Sequence, residues 1–422
     1  DWDDMLVDVD AQHVDAVFKG EVYAEDRHIT FRSNMAVDLA NKHFVFRDGH
    51  VSLNEYAFTM DGTVDMPDSI GMDLNIKTET WPIKPFLTVV PAQFTKSLED
   101  IDIDGKIQAD VNLSGYLSGT SFPLITAHAL VSEGAVAYKP MPYVFGDLNA
   151  DVVLNMNLCE GQKTSVQVNS LYTTTLESAV KAKGKVEDLF GDMVLDLALD
   201  ADVNIPDFHY FMPEKMDLIG HAQGPVNLRM RLDDLTNVRL DKGNIDADLQ
   251  LTGIHYGMDS IFADFPNAHA RIYFPNRRPT HPKAKWVRVD METDQLDIEM
   301  ATPLKVNIKK STLKVETGNM LSDDPVIYAA VDLKSQQPLY AEMDSMAVTI
   351  MAPKMVAYTE YNTQDTTVIP EVLLDLDCQA LDGYYTEYKI KLQDAQLDAA
   401  MHGRHKNQSA PVMRAKLNTQ KA

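Results

Sequence analysis

The sequence predicts a mainly β protein, in which long antiparallel strands form an elongated, curled, repeating sheet (a trough or half-pipe) with a few short helices. Three observations lead to this fold class. Apolar and polar residues alternate over long stretches, prolines interrupt the few helical segments, and one unit of strands with a short helix occurs twice. Alternation with one polar face is typical of antiparallel sheets, because parallel strands are buried on both faces.

The pattern divides the chain into four predicted segments. Residues 1–53 start the sheet, 54–175 and 176–275 form two repeat units, and 276–422 contain further, divergent strands and a basic tail. The chain begins DWDDMLVDVD, without an initiator methionine and already in alternation. We therefore expect a fragment of a longer protein, with any export signal or membrane anchor outside this sequence.

The clearest strand signal is MVLDLALDADVNI at residues 193–205. One parity is apolar and the other carries aspartates and an asparagine, which predicts one strand with a dry face and a wet face. The same alternation predicts strands at residues 56–66, 245–251, 346–350 and 372–380.

The internal repeat includes the two best helical candidates, WPIKPFLTVVPAQF and NIPDFHYFMPEKM. Gly62 precedes the first and Gly184 the second, at the same distance from a later proline in each copy. After the helix, GKIQADVNL from Gly105 is echoed by GHAQGPVNL from Gly220. Such self-similarity is the signature of units that stack on their neighbours, and the prolines limit each helix to a short segment.

The stretch DIDIDGKIQADVNL at residues 100–113 permits two interpretations. Asp100, Asp102, Asp104 and Gly105 resemble the start of a calcium loop. Such a loop requires a bidentate acid at its twelfth position, where this chain has Val111, and the second repeat lacks the aspartate ladder. The aspartates are better interpreted as the wet parity of a strand, with a turn or kink at Asp104-Gly105.

The net charge and the sequence motifs argue against several classes of function. The net charge of -25 makes nucleic acid an unexpected partner. The sequence has no nucleophile elbow, dinucleotide fingerprint, P-loop or zinc-protease motif, so we expect no enzyme and no cofactor, although an acidic glycosidase pair remains an alternative.

Cys159 and Cys378 fall on opposite strand parities, which disfavours a disulfide. His402 and His405 are the closest histidine pair, and we expect solvated side chains rather than metal ligands there.

The segment around IKPFLTVVPAQF, DGKIQADVNLSGYLSG and FPLITAHALVSEGAVAYKPMPYVFGDLNADVVL resembles the C-terminal region of the AsmA family, best over residues 54–275. These are envelope proteins of diderm bacteria, related to the TamB type and similar in architecture to bridge-like lipid-transfer proteins. The resemblance implies a curled β-sheet with an apolar inside, an N-terminal anchor in the inner membrane and a periplasmic body. Phospholipid transport between the two membranes, or outer-membrane homeostasis, is the implied role, with outer-membrane proteins as further partners.

The apolar parity is the candidate functional feature. If no second layer covers it, it can hold a phospholipid or another acyl-chain lipid; if a second sheet covers it, the protein is a non-catalytic scaffold of the cell envelope. A carbohydrate-active or adhesive β-solenoid is a third hypothesis. The predicted lining residues are Ile107, Val111, Leu113, Leu195, Leu197, Leu199, Val203, Leu249, Leu251, Leu374 and Leu376.

Overall fold

Long antiparallel strands dominate the computed structural model of the chain. It describes residues 2–18, 21–87, 100–118, 121–139, 141–157, 164–189, 191–212, 215–237, 239–258, 260–300, 304–318, 326–362, 370–402 and 412–420. These residues contain 24 strands and only short helices, and every strand pairing described is antiparallel. The prediction of a mainly β fold with long antiparallel strands and a few short helices is therefore confirmed. Contacts divide the chain into two units: residues 1–199 with 231–236, called unit 1, and residues 200–230 with 237–422, called unit 2.

Unit 1 is a meander of neighbouring strands. Its strands are β1 (Asp3–Phe18), β2 (Glu21–Asp38), β3 (His43–Leu53), β4 (Tyr56–Asp65), β5 (Ile70–Thr78), β6 (Trp81–Pro82), β7 (Ile101–Leu117), β8 (Leu124–Tyr138), β9 (Val144–Asn157), β10 (Ser165–Thr175) and β11 (Ser178–Glu187). Each pairs with the next, except that β5 and β6 lie one after the other along β7. The helices α1 (Ile83–Leu87) and α2 (Leu232–Thr236) belong to this unit, and β12 (Val194–Asn204) contributes residues to both units.

Unit 2 is also a meander. Its strands are β13 (Met216–Arg231), β14 (Asn244–Met258), β15 (Ile261–Phe274), β16 (Val287–Met300), β17 (Leu304–Gly318), β18 (Val326–Ser335), β19 (Leu339–Met343), β20 (Met346–Met351), β21 (Lys354–Asn362), β22 (Glu371–Tyr385), β23 (Tyr388–His402) and β24 (Val412–Asn418). Strands β18 and β19 both pair with β17 and together form one interrupted strand of the sheet. Strands β20 and β21 form the next interrupted strand, and both pair with β22. Part of the basic tail thus forms β24, which pairs with β23.

The alternation at residues 193–205 forms a shorter strand than predicted. Strand β12 begins at Val194, because Met193 has a φ of 25°, outside the extended region. The strand ends at Asn204, since a 3₁₀ helix with a proline in its first turn occupies Ile205–Phe211. This 3₁₀ helix and α1 fall on the two predicted helical segments, and residues 88–94 of the first segment lie outside the described residues.

The stretch at residues 100–113 is a strand with a kink. In β7 the isoleucines are half-buried and the aspartates exposed, in strict alternation. Gly105 has a φ of 121°, and the register with β8 shifts between Asp104 and Lys106, which is a β-bulge. The aspartates face lysines: Asp102 Oδ1 lies 2.8 Å from Lys84 Nζ. The wet-parity interpretation, with a kink at Asp104-Gly105, is confirmed.

The two repeat copies share details of geometry. Hairpins β3/β4 and β10/β11 have strands of the same lengths, 11 and 10 residues, and a bulge at the same position of the first strand. Gly62 and Gly184 have φ values of 137° and 143°, and a Cβ at either would lie 2.0–2.2 Å from a carbonyl oxygen of the next strand. Only glycine fits so close an approach, which explains why the sequence repeats it.

The Pro-rich connector between β15 and β16, residues 275–286, packs against the polar face of unit 2. Backbone N–H of Thr280 donates to Glu316 Oε2 at 3.1 Å, and His281 stacks on Tyr328 with ring centroids 4.7 Å apart. Burial raises the pKa of the Glu316 carboxyl, but hydrogen bonds from Thr280 and Lys314 outweigh it and hold the pKa below its ordinary value. The connector thus gives the polar face a small core of its own.

Candidate functional site

Apolar side chains form rows that cross the strands of unit 1 on one face. Residues directly opposite each other in adjacent strands project to the same face, so an unbroken set of register partners makes a continuous strip. Two such rows run side by side. One consists of Met60, Ile76, Val111, Ala127, Leu154, Val166 and Val186, and the other of Leu74, Leu113, Ile125 and Met156. We call the face that carries these rows the dry face of unit 1.

Unit 2 carries two longer rows, from β14 to β24. The first consists of Leu249, Ala270, Met291, Leu313, Leu333, Met355, Leu376, Leu397 and Leu417. The second consists of Ala247, Ile272, Val289, Val315, Val331, Ala357, Leu374, Ala399 and Ala415. No polar residue interrupts either row, and together they define the dry face of unit 2. At about 4.8 Å per strand, nine strands span about 38 Å.

Five of the eleven predicted lining residues belong to the rows of these faces. Val111 and Leu113 lie in the two rows of unit 1, Leu249 and Leu376 share the first row of unit 2, and Leu374 lies in the second. The other six are Ile107 on β7, Leu195, Leu197, Leu199 and Val203 on β12, and Leu251 on β14. All eleven are half-buried except Leu376, which is 8% exposed.

The burial of the dry face of unit 2 comes from neighbouring strands of the same sheet. The largest apolar cluster has Leu296, Ile308, Leu333 and Leu339 at its centre, and all its members lie on strands between β14 and β21. None of the members described comes from a second layer stacked on the sheet. The central side chains of this face, such as Ile308 and Leu333 at 0 and 4% exposed, are therefore buried by neighbours of their own sheet, whereas Leu417 at its edge is 51% exposed.

In unit 1, the helix α1 covers a part of the dry face. Phe86 of α1 packs on Trp81 and Tyr56, with ring centroids 5.2 and 5.9 Å apart, and Ile107 lies against the same cluster. Ile107 thus lies below a short helix. Val111 lies four residues further along β7, on the same face, in the first row of unit 1. The helix covers one end of the strip.

The accessible surface supports an uncovered face. A compact monomer of 47.2 kDa would expose about 16,000 Å², and two separate compact domains of half that mass about 20,000 Å². The chain exposes 24783 Å². The chain exposes more than either of these areas, as expected where sheet faces lack a second layer.

An open pocket of about 330 Å³ lies at one end of the dry face of unit 2. Its lining is almost entirely apolar and includes Met343, Met346, Val348, Leu381 and Gly383, which are consecutive register partners or their neighbours. Gly383 lacks a side chain at the centre of a row, which leaves a depression between Val348 and Ile390. Sequence reasoning missed this pocket, although the glycine and the tyrosines in LDGYYTEY were available as a signal.

The opposite faces are polar and held by cross-strand charge pairs. Seven histidines each pair with an aspartate on an adjacent strand: His13 with Asp26, His28 with Asp10, His43 with Asp65, His128 with Asp151, His221 with Asp202, His255 with Asp264, and His269 with Asp248. Hydrogen bonds from Asn169 and His128 lower the pKa of Asp151. A hydrogen bond from His269 lowers the pKa of Asp248, although partial burial opposes it. The acidic groups thus serve cross-strand pairing.

The described residues offer little for chemistry. Among them, no three His, Cys, Asp or Glu side chains come together in a way that could hold a metal ion. No helix in the described ranges is long and apolar enough to cross a bilayer. Cys378 is a free, buried thiol whose pKa is raised by burial. Cys159 and His405 lie outside the described residues, as does the side chain of His402.

The dry faces are therefore the best candidate site: continuous apolar strips on sheets whose other face is polar, with α1 over one end of the strip in unit 1. They can bind long apolar molecules without orienting any reacting group. Sequence alternation identified several of the strands that carry them but missed members such as Met291 and Met355, which lie outside the individually predicted strands. Comparison with protein-family models, curated proteins and solved structures finds no match to this chain.

Proposed function

We propose that the chain is a periplasmic lipid-binding trough of AsmA type, which carries phospholipids between the inner and outer membranes or supports outer-membrane homeostasis. The single observation behind this proposal is the pair of uncovered apolar rows, nine residues each, in unit 2. In the proposed mechanism acyl chains lie on the rows while the lipid headgroup stays in water, so no catalytic residue is needed.

The energetics and dimensions are adequate for this role. Each acyl CH₂ that leaves water contributes about 0.8 kcal/mol, so partial burial of a few methylenes gives useful affinity. An extended acyl chain fills roughly half of a 30 Å bilayer core, about 15 Å, which is well below the 38 Å length of a row. Methionine side chains such as Met291 and Met355 adapt their shape, which suits a surface that accepts chains of differing length and unsaturation.

The experiment is lipid binding by the purified chain. Native mass spectrometry should show phospholipid carried through purification, and a fluorescent phospholipid should bind in a saturable titration. A scaffold with a closed core would show neither. If the chain carries no lipid and takes up none from detergent-dispersed stock, the lipid role is rejected and the scaffold role is favoured.

A further inference from the structure

Two adjoining hairpin ends in unit 2 expose a cluster of large apolar and aromatic side chains. The β22/β23 turn follows Tyr385, the β19/β20 turn precedes Met346, and the backbone N–H of Thr386 donates to the carbonyl of Ser345 at 3.1 Å. We call the exposed set the tyrosine tip. It consists of Met346, Tyr384, Tyr385, Tyr388 and Ile390, which are 39 to 68% exposed.

This degree of exposure is unusual for adjacent residues. Single exposed apolar residues need no explanation, but contiguous groups mark interaction surfaces. Tyr385 and Tyr388 are register partners at the end of the hairpin, and Met346 pairs with Tyr385 on its other side. Tyrosine has an apolar ring and a polar hydroxyl, a combination that is enriched at the boundary between headgroups and acyl chains.

The tip is continuous with the dry face. Its outermost row reads Leu304, Met343, Met346, Tyr385 and Tyr388 across five strands, and the open pocket beside Gly383 lies directly behind that row. A lipid that enters the row from a bilayer would remain in apolar contact at every strand. This step rests on the proposed function, whereas docking of the tip itself does not.

Charge near the tip favours an uncharged surface as the partner. Asp344 and Glu387 occupy the two turns, and Glu342 accepts a hydrogen bond from Tyr340 at 2.7 Å. Lysines on the same strands include Lys305, Lys389 and Lys391. Lys305 Nζ lies 3.4 Å from Glu299, and Lys391 Nζ lies 2.9 Å from Asp382. A slightly acidic tip gains nothing from anionic headgroups, which attract clusters of lysine and arginine.

We propose that the tyrosine tip inserts into the headgroup boundary of a neutral phospholipid bilayer, where it delivers acyl chains to the adjoining pocket. Tyr385 and Tyr388 provide the inserted rings. Met346 and Ile390 provide the apolar path from the bilayer to Gly383.

Insertion can be measured with a tryptophan placed in the tip. In the Tyr388→Trp variant of the full chain, vesicles of phosphatidylcholine with brominated acyl chains should quench the added fluorescence. The matched control is Tyr116→Trp in unit 1, where the native tyrosine is 62% exposed, close to the 68% of Tyr388. Quenching confined to Tyr388→Trp is expected. Equal quenching of both variants, or of neither, overturns the proposal.

Removal of the rings is the second measurement. The double variant Tyr385→Ser, Tyr388→Ser should bind phosphatidylcholine vesicles at least about tenfold more weakly in flotation, because two rings lose apolar burial. Binding of detergent-dispersed phospholipid by the parent chain is measured in parallel, so failure of docking is distinguishable from failure of the proposed function. The bilayer proposal is rejected if the parent chain does not bind vesicles but self-associates in sedimentation, and the double variant does not self-associate. In that case the tip binds a second copy of the chain.

Discussion

A carboxylate placed on the first row of unit 2 should release lipid without unfolding the chain. Leu397 is half-buried, with Leu376 and Leu417 as its register partners, and Leu417 is 51% exposed near the edge of the sheet. In Leu397→Asp the new charge keeps about three nearby acyl methylenes in water, a loss of about 2.4 kcal/mol at 0.8 kcal/mol each. That loss corresponds to about 50-fold weaker binding.

The assay is titration with a fluorescent phospholipid, with thermal unfolding of each variant measured in parallel. Gln396→Asp is the matched control, because Gln396 is exposed on the polar face of the same strand. It should bind lipid like the parent chain. Two results would refute the reasoning: a folded Leu397→Asp that binds lipid normally, or a Gln396→Asp that loses binding equally. Loss of cooperative unfolding in Leu397→Asp would instead place Leu397 in a closed core.

Three further predictions concern stability and reactivity. Gly184→Ala should lower the free energy of unfolding in urea by about 2–4 kcal/mol, because its Cβ would lie 2.2 Å from a facing carbonyl oxygen at a φ of 143°. Gly383→Ala, whose Cβ would have its nearest atoms at 3.7 Å, should leave the free energy of unfolding nearly unchanged. Equal losses in the two variants would contradict this reasoning. His269 lowers the folded pKa of Asp248, so the stabilisation is complete above the unfolded pKa of about 3.9 and is lost as pH falls through the folded pKa. Asp248→Asn should therefore lower the free energy of unfolding at neutral pH by less than about 1 kcal/mol, with the difference vanishing at low pH; a constant difference would exclude the linkage. Cys378, 4% exposed and with a raised pKa, should resist alkylation in peptide mapping until urea is added, and rapid native labelling would disprove its burial.

The sequence was enough to predict several strands and the sheet face on which their side chains lie, because the alternation of apolar and polar residues is a local property. The alternation in β7 assigns its isoleucines and aspartates to the faces they occupy, and Gly105 marks the kink. Two other features depend on partners distant in the chain. Residues 275–286 contain no periodic pattern, yet Thr280 meets Glu316 across 36 positions of sequence. The pocket beside Gly383 arises only when five strands come into register, which no single stretch encodes.

The rows place an unusual constraint on the sequence. A row needs an apolar side chain, of any size, at alternate positions of each strand, and the first row of unit 2 contains leucine, methionine and alanine. Substitutions within this class preserve the strip, so drift can erase residue identity while the pattern of parity persists. We expect chains of the same architecture to share hydropathy period and strand lengths rather than aligned residues, apart from glycines such as Gly62 where the backbones touch.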